Sequence, residues 1–234
     1  MVLRNKRLLM VANMIPKCEC MADIGTDHAL LPIYLVLNGK CNRAIASDVK
    51  IGPLQSAEKN IKRHHLSDKI ETRLGSGFEV LKTGECQVSV LAGMGGILIS
   101  RLIEDSFDIA KETPYLVLQP NTEEASLRKY LFDNGFEILD ENAVMDRGHC
   151  YLVILCRHVP GLVSEYDEID LIVGKVLNKK DTEGRVVYYQ ELRQKADKVL
   201  RKLEKVKNRT EEIEKRIVEY KKVVRWIDEN VEGI

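Results

Sequence analysis

With 234 residues, 44% apolar and 31% charged, the chain is long enough to bury a core and too apolar for global disorder. Its length suits one medium domain plus an appendage, or two small domains, not a disulfide-stapled mini-protein. Thirty-six basic residues balance 36 acidic ones, so no global charge steers the chain toward nucleic acid or anionic membrane, and any steering must come from a local patch.

At the start, Leu8, Val11, Ala12 and Ile15 mark one face of an amphipathic helix. The apolar run around them is short, interrupted by Asn13 and followed by Pro16-Lys17, which is a poor match to a secretory leader. No run reaches about 18 apolar residues, so no membrane span is expected and the chain reads as cytoplasmic. The cysteines, Cys18, Cys20, Cys41, Cys86, Cys150 and Cys156, form no C-x-x-C pair and mostly adjoin apolar runs. They read as small core residues, with no metal site expected.

Five strands are expected, at about Cys20–Asp23, Arg43–Val49, Ile70–Leu74, Val88–Ala92 and Tyr115–Gln119. Helices are expected between them at His28–Asn38, Pro53–Leu66 and Gly96–Ala110, with a fourth at Glu123–Asn134 closed by Gly135. This alternation predicts an α/β fold with a parallel sheet covered on both faces. Phe136–Met145 and Cys150–Cys156 have no helix between them and predict an antiparallel hairpin at the end of the sheet. An ordinary dinucleotide-binding fold ends instead on a parallel sixth strand.

Pro160-Gly161 reads as a boundary, giving domains 1–160 and 161–234. Beyond it, Ile169–Leu177 is a candidate short helix. Tyr189, Leu192, Ala196, Val199, Leu203 and Val206 form one heptad stripe, and Ile213, Ile217, Tyr220, Val224, Ile227 and Val231 form a second. With only Lys207–Thr210 between them, and Asn208 and Glu211 placed to cap the second helix, they predict an antiparallel helical hairpin. Two helices alone are marginal, so part of the stripe should touch the main domain or Ile169–Leu177. Between Arg193 and Arg209 lie eight basic residues against two acidic ones. That segment is either a solvated face or a phosphate-binding one.

Ligands of open α/β sheets sit at the carboxyl ends of the strands. The first strand ends in Asp23-Ile24-Gly25-Thr26-Asp27-His28. One glycine between two carboxylates is unsuited to a pyrophosphate but suits a ligand carrying a cation, such as S-adenosylmethionine. Asp27 is otherwise a helix N-cap, and His28 a packing or capping residue. Asp48, followed by Val49, stands 23 residues beyond Gly25, where an acid typically takes ribose hydroxyls. Gly75, Ser76 and Gly77 either admit an adenine edge or make a plain turn. Ala92-Gly93-Met94-Gly95-Gly96 is the most unusual run in the chain: three glycines in four positions imply close backbone approach, and no Lys-Ser/Thr completes a P-loop. Gln119-Pro120-Asn121 puts Asn121 at the rim, to meet a nucleobase or cap the next helix.

Together these features resemble class I S-adenosylmethionine-dependent methyltransferases. More closely, Lys6-Arg7-Leu8, Asp23 through Ala29, Leu31-Pro32, Ala92 through Gly96 and Gln119-Pro120-Asn121 are similar to the bacterial TrmK family over essentially the whole chain. The resemblance implies a Rossmann-like methyltransferase sheet with a coiled-coil-like extension, S-adenosylmethionine as cofactor, and methyl transfer to N1 of adenosine at position 22 of tRNA. It implies cofactor contacts from Arg7, Asp23, Gly25, Asp27, His28, Asp48, Val49, Gly75, Ser76, Gly77, Ala92, Gly93, Met94 and Gly95, with Asp23 and Asn121 nearest the chemistry. Arg193, Lys198, Arg201, Lys202, Lys205 and Arg209 are the candidate tRNA contacts of a chain expected to act as a monomer. Two departures stand out. Ala92–Gly96 replaces the Asn/Asp-Pro-Pro-aromatic of many amino-group methyltransferases, and Ser76 stands where many relatives hold adenine with an acid. Methyl transfer to another RNA base or a small molecule, an NAD-dependent oxidoreductase and a scaffold protein are the competing readings.

Overall fold

The computed structural model describes residue 3 and residues 5–231. Seven strands, β1 (Cys18–Ile24), β2 (Cys41–Asp48), β3 (Ile70–Leu74), β4 (Val88–Gly95), β5 (Tyr115–Thr122), β6 (Phe136–Asp146) and β7 (His149–His158), form one sheet in the order β3-β2-β1-β4-β5-β7-β6. The first five are parallel, β7 runs antiparallel to β5, and β6 closes the edge as the other arm of the hairpin. The expected parallel sheet with a terminal hairpin is therefore present.

Strand alternation supplies both faces with core residues. Ala22, Ile24, Leu91, Leu116 and Leu118 pack into one layer, and Met21, Val88, Val90 and Val117 into the other. Helices α1 (Lys6–Met14), α2 (Leu30–Leu37) and α3 (Ile51–Arg63) cover the second layer. Helices α4 (Gly96–Glu104), α5 (Phe107–Glu112) and α6 (Glu124–Asp133) cover the first. The chain leaves β1 for β2 on one side and returns to β4 on the other, so the switch point lies between the ends of β1 and β4.

Several local expectations are corrected. The single helix expected at Gly96–Ala110 breaks at Asp105-Ser106, where Ser106 is non-helical. The break turns Phe107 edge-on against Phe136 and His158, with ring centroids 6.1 and 5.7 Å away. Asp27 caps no helix: α2 begins at Leu30 after a left-handed Ala29 with no side-chain cap. Asn121 is no cap either, because β5 runs on to Thr122 and α6 starts after a left-handed Glu123.

Beyond the sheet lie α7 (Glu168–Val173), α8 (Glu183–Leu203) and α9 (Glu211–Asn230), the last two antiparallel and each about 30 Å long. The cap of α9 is Thr210, whose hydroxyl takes the N–H of Ile213, and not Asn208. The buried positions are Tyr188, Tyr189, Ala196 and Leu200 on α8 and Ile217, Val223 and Ile227 on α9. Val206, expected in the stripe, is exposed beyond the end of α8. The face of α8 broadens at its start because it meets β6 as well as α9: Gly184 lies against the carbonyl of Ala143, and Tyr188 and Tyr189 donate to the carbonyls of Ile172 and Val173.

A wholly buried ion pair fastens this junction. Arg128 on α6 donates to Glu141 on β6 at 2.7 Å and to the carbonyls of Leu171 and Ile172 on α7. Glu141 also accepts the N–H of Leu177. Burial opposes the charge on Arg128, but Glu141 and Tyr188 hold its pKa above the ordinary arginine value. No local pattern in the sequence marks this pair.

Candidate functional site

The carboxyl ends of β1, β2, β4 and β5 bring most of the expected residues together. Asp23 is 6% exposed, and the one hydrogen bond to its side chain among the described residues comes from the Thr26 hydroxyl at 2.6 Å. Burial pushes its pKa up to about 6; the Thr26 bond and the charge of Arg7 pull the other way, and Asp48 adds to the rise. The N–H groups of Gly25 and Thr26 both donate to the carbonyl of Ser47, which closes the seam between β1 and β2. Gly25 has φ +77°, and a Cβ there would overlap the tip of Met94. A side chain there would strain the left-handed backbone and force the Met94 methyl to move.

The β4–β5 ladder slips twice at this end. Ala92 pairs with Gln119, Met94 with Pro120, and Gly95 with Thr122. Gly93 and Asn121 are thus the extra residues of two bulges, one on each strand. Bulges re-aim side chains next to active sites. Gly93, at φ +81°, would place a Cβ 3.0 Å from Nη1 of Arg7. That nitrogen donates to Oε1 of Gln119 at 2.5 Å, and the guanidinium lies 5.5 Å from the centre of the Tyr151 ring. Gln119 is fully buried and donates through Nε2 to the Pro120 carbonyl and to Oδ1 of Asn121, at 2.8 and 3.1 Å.

Asp48 stands at the end of β2, half-buried, with Oδ1 accepting the N–H of Lys50. Around it Val49, Ile51 and Leu74 are unusually exposed for apolar residues, at 59%, 62% and 54%. Gly75, Ser76 and Gly77 follow β3, where Glu79 takes the Ser76 N–H at 2.6 Å and starts a short 3-10 turn. Asp27 and His28 form an exposed pair at 3.4 Å on the loop into α2. Thr26, Gln119 and Tyr151 belong to this cluster and are not among the residues expected from the sequence. Gln119 was visible in the Gln-Pro-Asn run, but Tyr151 reaches Arg7 only through the fold of the hairpin.

The six candidate RNA contacts divide. Arg193 is bound to Asp197 and Asp228, and Arg209 to Glu214 and the Glu204 carbonyl. Lys198, Arg201, Lys202 and Lys205 instead line a groove of about 460 Å³ with Gln194 and Asp197. A larger cavity, about 720 Å³, lies among α6, α7 and α9 beside Trp226, and none of its lining residues belongs to the strand-end cluster. Among the described residues no three His, Cys, Asp or Glu side chains gather to hold a metal, and no helix is long and apolar enough to cross a membrane.

A buried acid with no cation hydrogen-bonded to it, an acid at the end of β2, glycines that bare the backbone, and exposed apolar residues fit a ligand that is at once cationic, ribosyl and aromatic. S-adenosylmethionine has all three parts, and the sheet order with its closing hairpin matches. Fold and site together define a Rossmann-like S-adenosylmethionine-dependent methyltransferase. A family model described as a methyltransferase domain matches residues 4–154. The chain is 38% identical over 173 residues to the tRNA (adenine(22)-N(1))-methyltransferase of Bacillus subtilis, covering 74% of this chain and 72% of that protein. It therefore belongs to the bacterial TrmK family of tRNA (adenine(22)-N(1))-methyltransferases. The crystal structure of the B. subtilis M1A22 tRNA methyltransferase TrmK superposes with a TM-score of 0.84 at 30% identity, over 99% of this chain and all of that one. M. capricolum TrmK in complex with S-adenosyl-homocysteine superposes with a TM-score of 0.85 at 25% identity, over 98% and 99%.

Proposed function

We propose that this chain methylates N1 of adenosine 22 in tRNA, in the cytoplasm and as a monomer, with residues 1–160 carrying the chemistry and residues 161–234 contacting RNA. The single observation that carries the reading is the strand-end cluster: buried Asp23 and the Gly93 and Asn121 bulges at the carboxyl ends of β1, β4 and β5, in a chain of this family.

When bound, S-adenosylmethionine supplies a methyl carbon on sulfonium, which passes to the N1 lone pair as the carbon–sulfur bond breaks, leaving a neutral thioether and a cationic ring. The residues suited to hold it are Arg7, Asp23, Gly25, Asp27 and His28 at the methionine end and Asp48 and Val49 at the ribose. Gly75, Ser76 and Gly77 stand at the base, and Ala92, Gly93, Met94 and Gly95 along the remaining edge. Neutral adenine N1 already has a lone pair, so the protein needs no strong base. Its tasks are orientation and electrostatics. Asp23, ionised above about pH 6, stabilises positive charge, first on the cofactor and then on the methylated ring. Asn121, lifted out of the ladder, holds the base.

The target base must leave its stack, at a cost of a few kcal/mol that backbone contacts elsewhere offset. Lys198, Arg201, Lys202 and Lys205 are suited to those contacts. The test is incubation with methyl-labelled cofactor and unmodified tRNA, followed by nucleoside analysis. N1-methyladenosine is expected, and its formation should stop when adenosine 22 is replaced. No N1-methyladenosine, or equal labelling of the replaced tRNA, overturns the reading.

A further inference from the structure

We infer that Gln119 is a positioning residue that fixes the polarity of Asn121, so that Asn121 meets the target adenine as a hydrogen-bond donor, at ring nitrogen N3 or N7, and not as an acceptor of the 6-amino group. The inference rests on the function proposed above and adds to it the way the base is read.

Arg7 sets the direction of the chain of contacts. A guanidinium has only donors. Its Nη1 lies 2.5 Å from the side-chain amide of Gln119, so the atom facing it must be the oxygen. The nitrogen of that amide then points the other way, where its two hydrogens go to the Pro120 carbonyl and to Asn121. A flipped Gln119 would set an NH₂ against a cation and leave the Pro120 carbonyl facing an oxygen. Because Gln119 is fully buried, no water can repair such a mismatch. The partner atom on Asn121 must therefore be Oδ1, and the Nδ2 group is the end left toward the exposed rim. Among the described residues Nδ2 makes no hydrogen bond, and the bulge at Asn121 carries it out of the ladder at the strand end. One donor-only cation thus sets the direction of two amides in series.

The chemistry limits what that donor meets. N1 must keep its lone pair for the methyl group, so a donor placed on N1 would oppose the reaction. The other ring acceptors of adenine are N3 and N7. The 6-amino group is a donor and would face another donor.

The test uses tRNA ligated from two pieces to carry adenosine, 3-deazaadenosine or 7-deazaadenosine at the target position. Each deaza base replaces one acceptor nitrogen with C–H and keeps N1. Since it also changes the basicity of N1, the effect is read as the penalty in wild type relative to the penalty in Asn121→Ala. For one of the two analogues, wild type should lose about tenfold more kcat/KM than Asn121→Ala does. In Gln119→Glu the carboxylate still accepts from Arg7 but cannot donate to Asn121. This variant should bind S-adenosylhomocysteine as wild type does, lose about tenfold in kcat, and lose the extra analogue penalty. A merely structural role for Gln119 would not move that analogue penalty. Should Gln119→Glu not fold, Asn121→Asp, exposed and of the same shape, serves in its place and should lose the penalty likewise. Equal penalties in wild type and Asn121→Ala for both analogues overturn the inference, as does a Gln119→Glu or Asn121→Asp enzyme that keeps the discrimination. Failure of wild type on the adenosine tRNA would instead sink the proposed function.

Discussion

Two buried carboxylates lie in this sheet, and the protein treats them differently. Glu141 is closed off: Arg128 donates to one oxygen, the Leu177 N–H to the other, and both side chains of the pair are fully buried. Asp23 is almost as deeply buried but has only a hydroxyl for a partner, and its pKa rises to about 6. The first arrangement is complete without any ligand. It ties α6 and β6 to α7 and so fixes the helical arm on the sheet. The second is incomplete: Arg7 acts on it only from a distance, and no cation is bonded to it among the described residues. Burial alone does not distinguish a structural acid from a site acid; the presence or absence of a built-in cation does.

Arg128 gives the largest expected effect. Arg128→Met strands a buried carboxylate and should cost about 3–5 kcal/mol in denaturant unfolding. Pairing it with Glu141→Leu should restore much of that, less the bonds to Leu171 and Ile172. A single variant as stable as wild type, or a double variant no better than the single, would break the contrast from the structural side.

Asp23 gives the next effect, with the opposite sign. Its folded pKa is above the ordinary 3.8, so the folded state keeps its proton longer than the unfolded chain. The contribution is therefore intact below about pH 4 and lost as pH rises through about 6, leaving a penalty of about 3 kcal/mol above that. Asp23→Asn should raise the stability of the ligand-free protein at pH 8, by up to about 2–3 kcal/mol, and do little at pH 4. The same variant should weaken S-adenosylhomocysteine binding. In wild type, affinity for the cationic cofactor should fall as pH drops below about 6. Calorimetric unfolding and titration at both pH values check this; an Asp23→Asn protein with unchanged stability at pH 8 contradicts it.

The contrast also explains what was legible in the sequence. Strand positions, the closing hairpin and the carboxylate-glycine-carboxylate turn follow from periodicity and turn chemistry, which are local; the order of the strands across the sheet is not. Asp23, Gly25, Gly93 and Asn121 were legible because each sits at a strand end whose position the pattern predicts. Glu141 and Arg128 were not. They are 13 residues apart on different elements, and Arg128 reads as one more polar residue of a helix. The link from Arg7 through Gln119 to Asn121 spans 112 residues at its first step and exists only once the parallel sheet has formed. Misplaced caps had a local cause: Asn208 and Thr210 are both good N-caps, and only the packed arm selects the second.

The smallest effect is at the surface. Arg193 is already matched by Asp197 and Asp228, all three side chains about one-third exposed or more. Such pairs contribute about 0–1 kcal/mol, so Arg193→Gln should barely shift unfolding. It should also change tRNA binding little, because a phosphate would have to compete with two carboxylates that are in place. Arg201 makes no ion pair among the described residues and lines the basic groove with Lys198, Lys202 and Lys205. Arg201→Gln should lower the slope of log affinity against log salt by about one, the loss of one phosphate contact. Arg193→Gln should lower it by clearly less. Equal slopes for the two variants would mean that the intramolecular pairs open on RNA, and that a carboxylate partner at the surface, unlike one in the core, does not decide which charges are available.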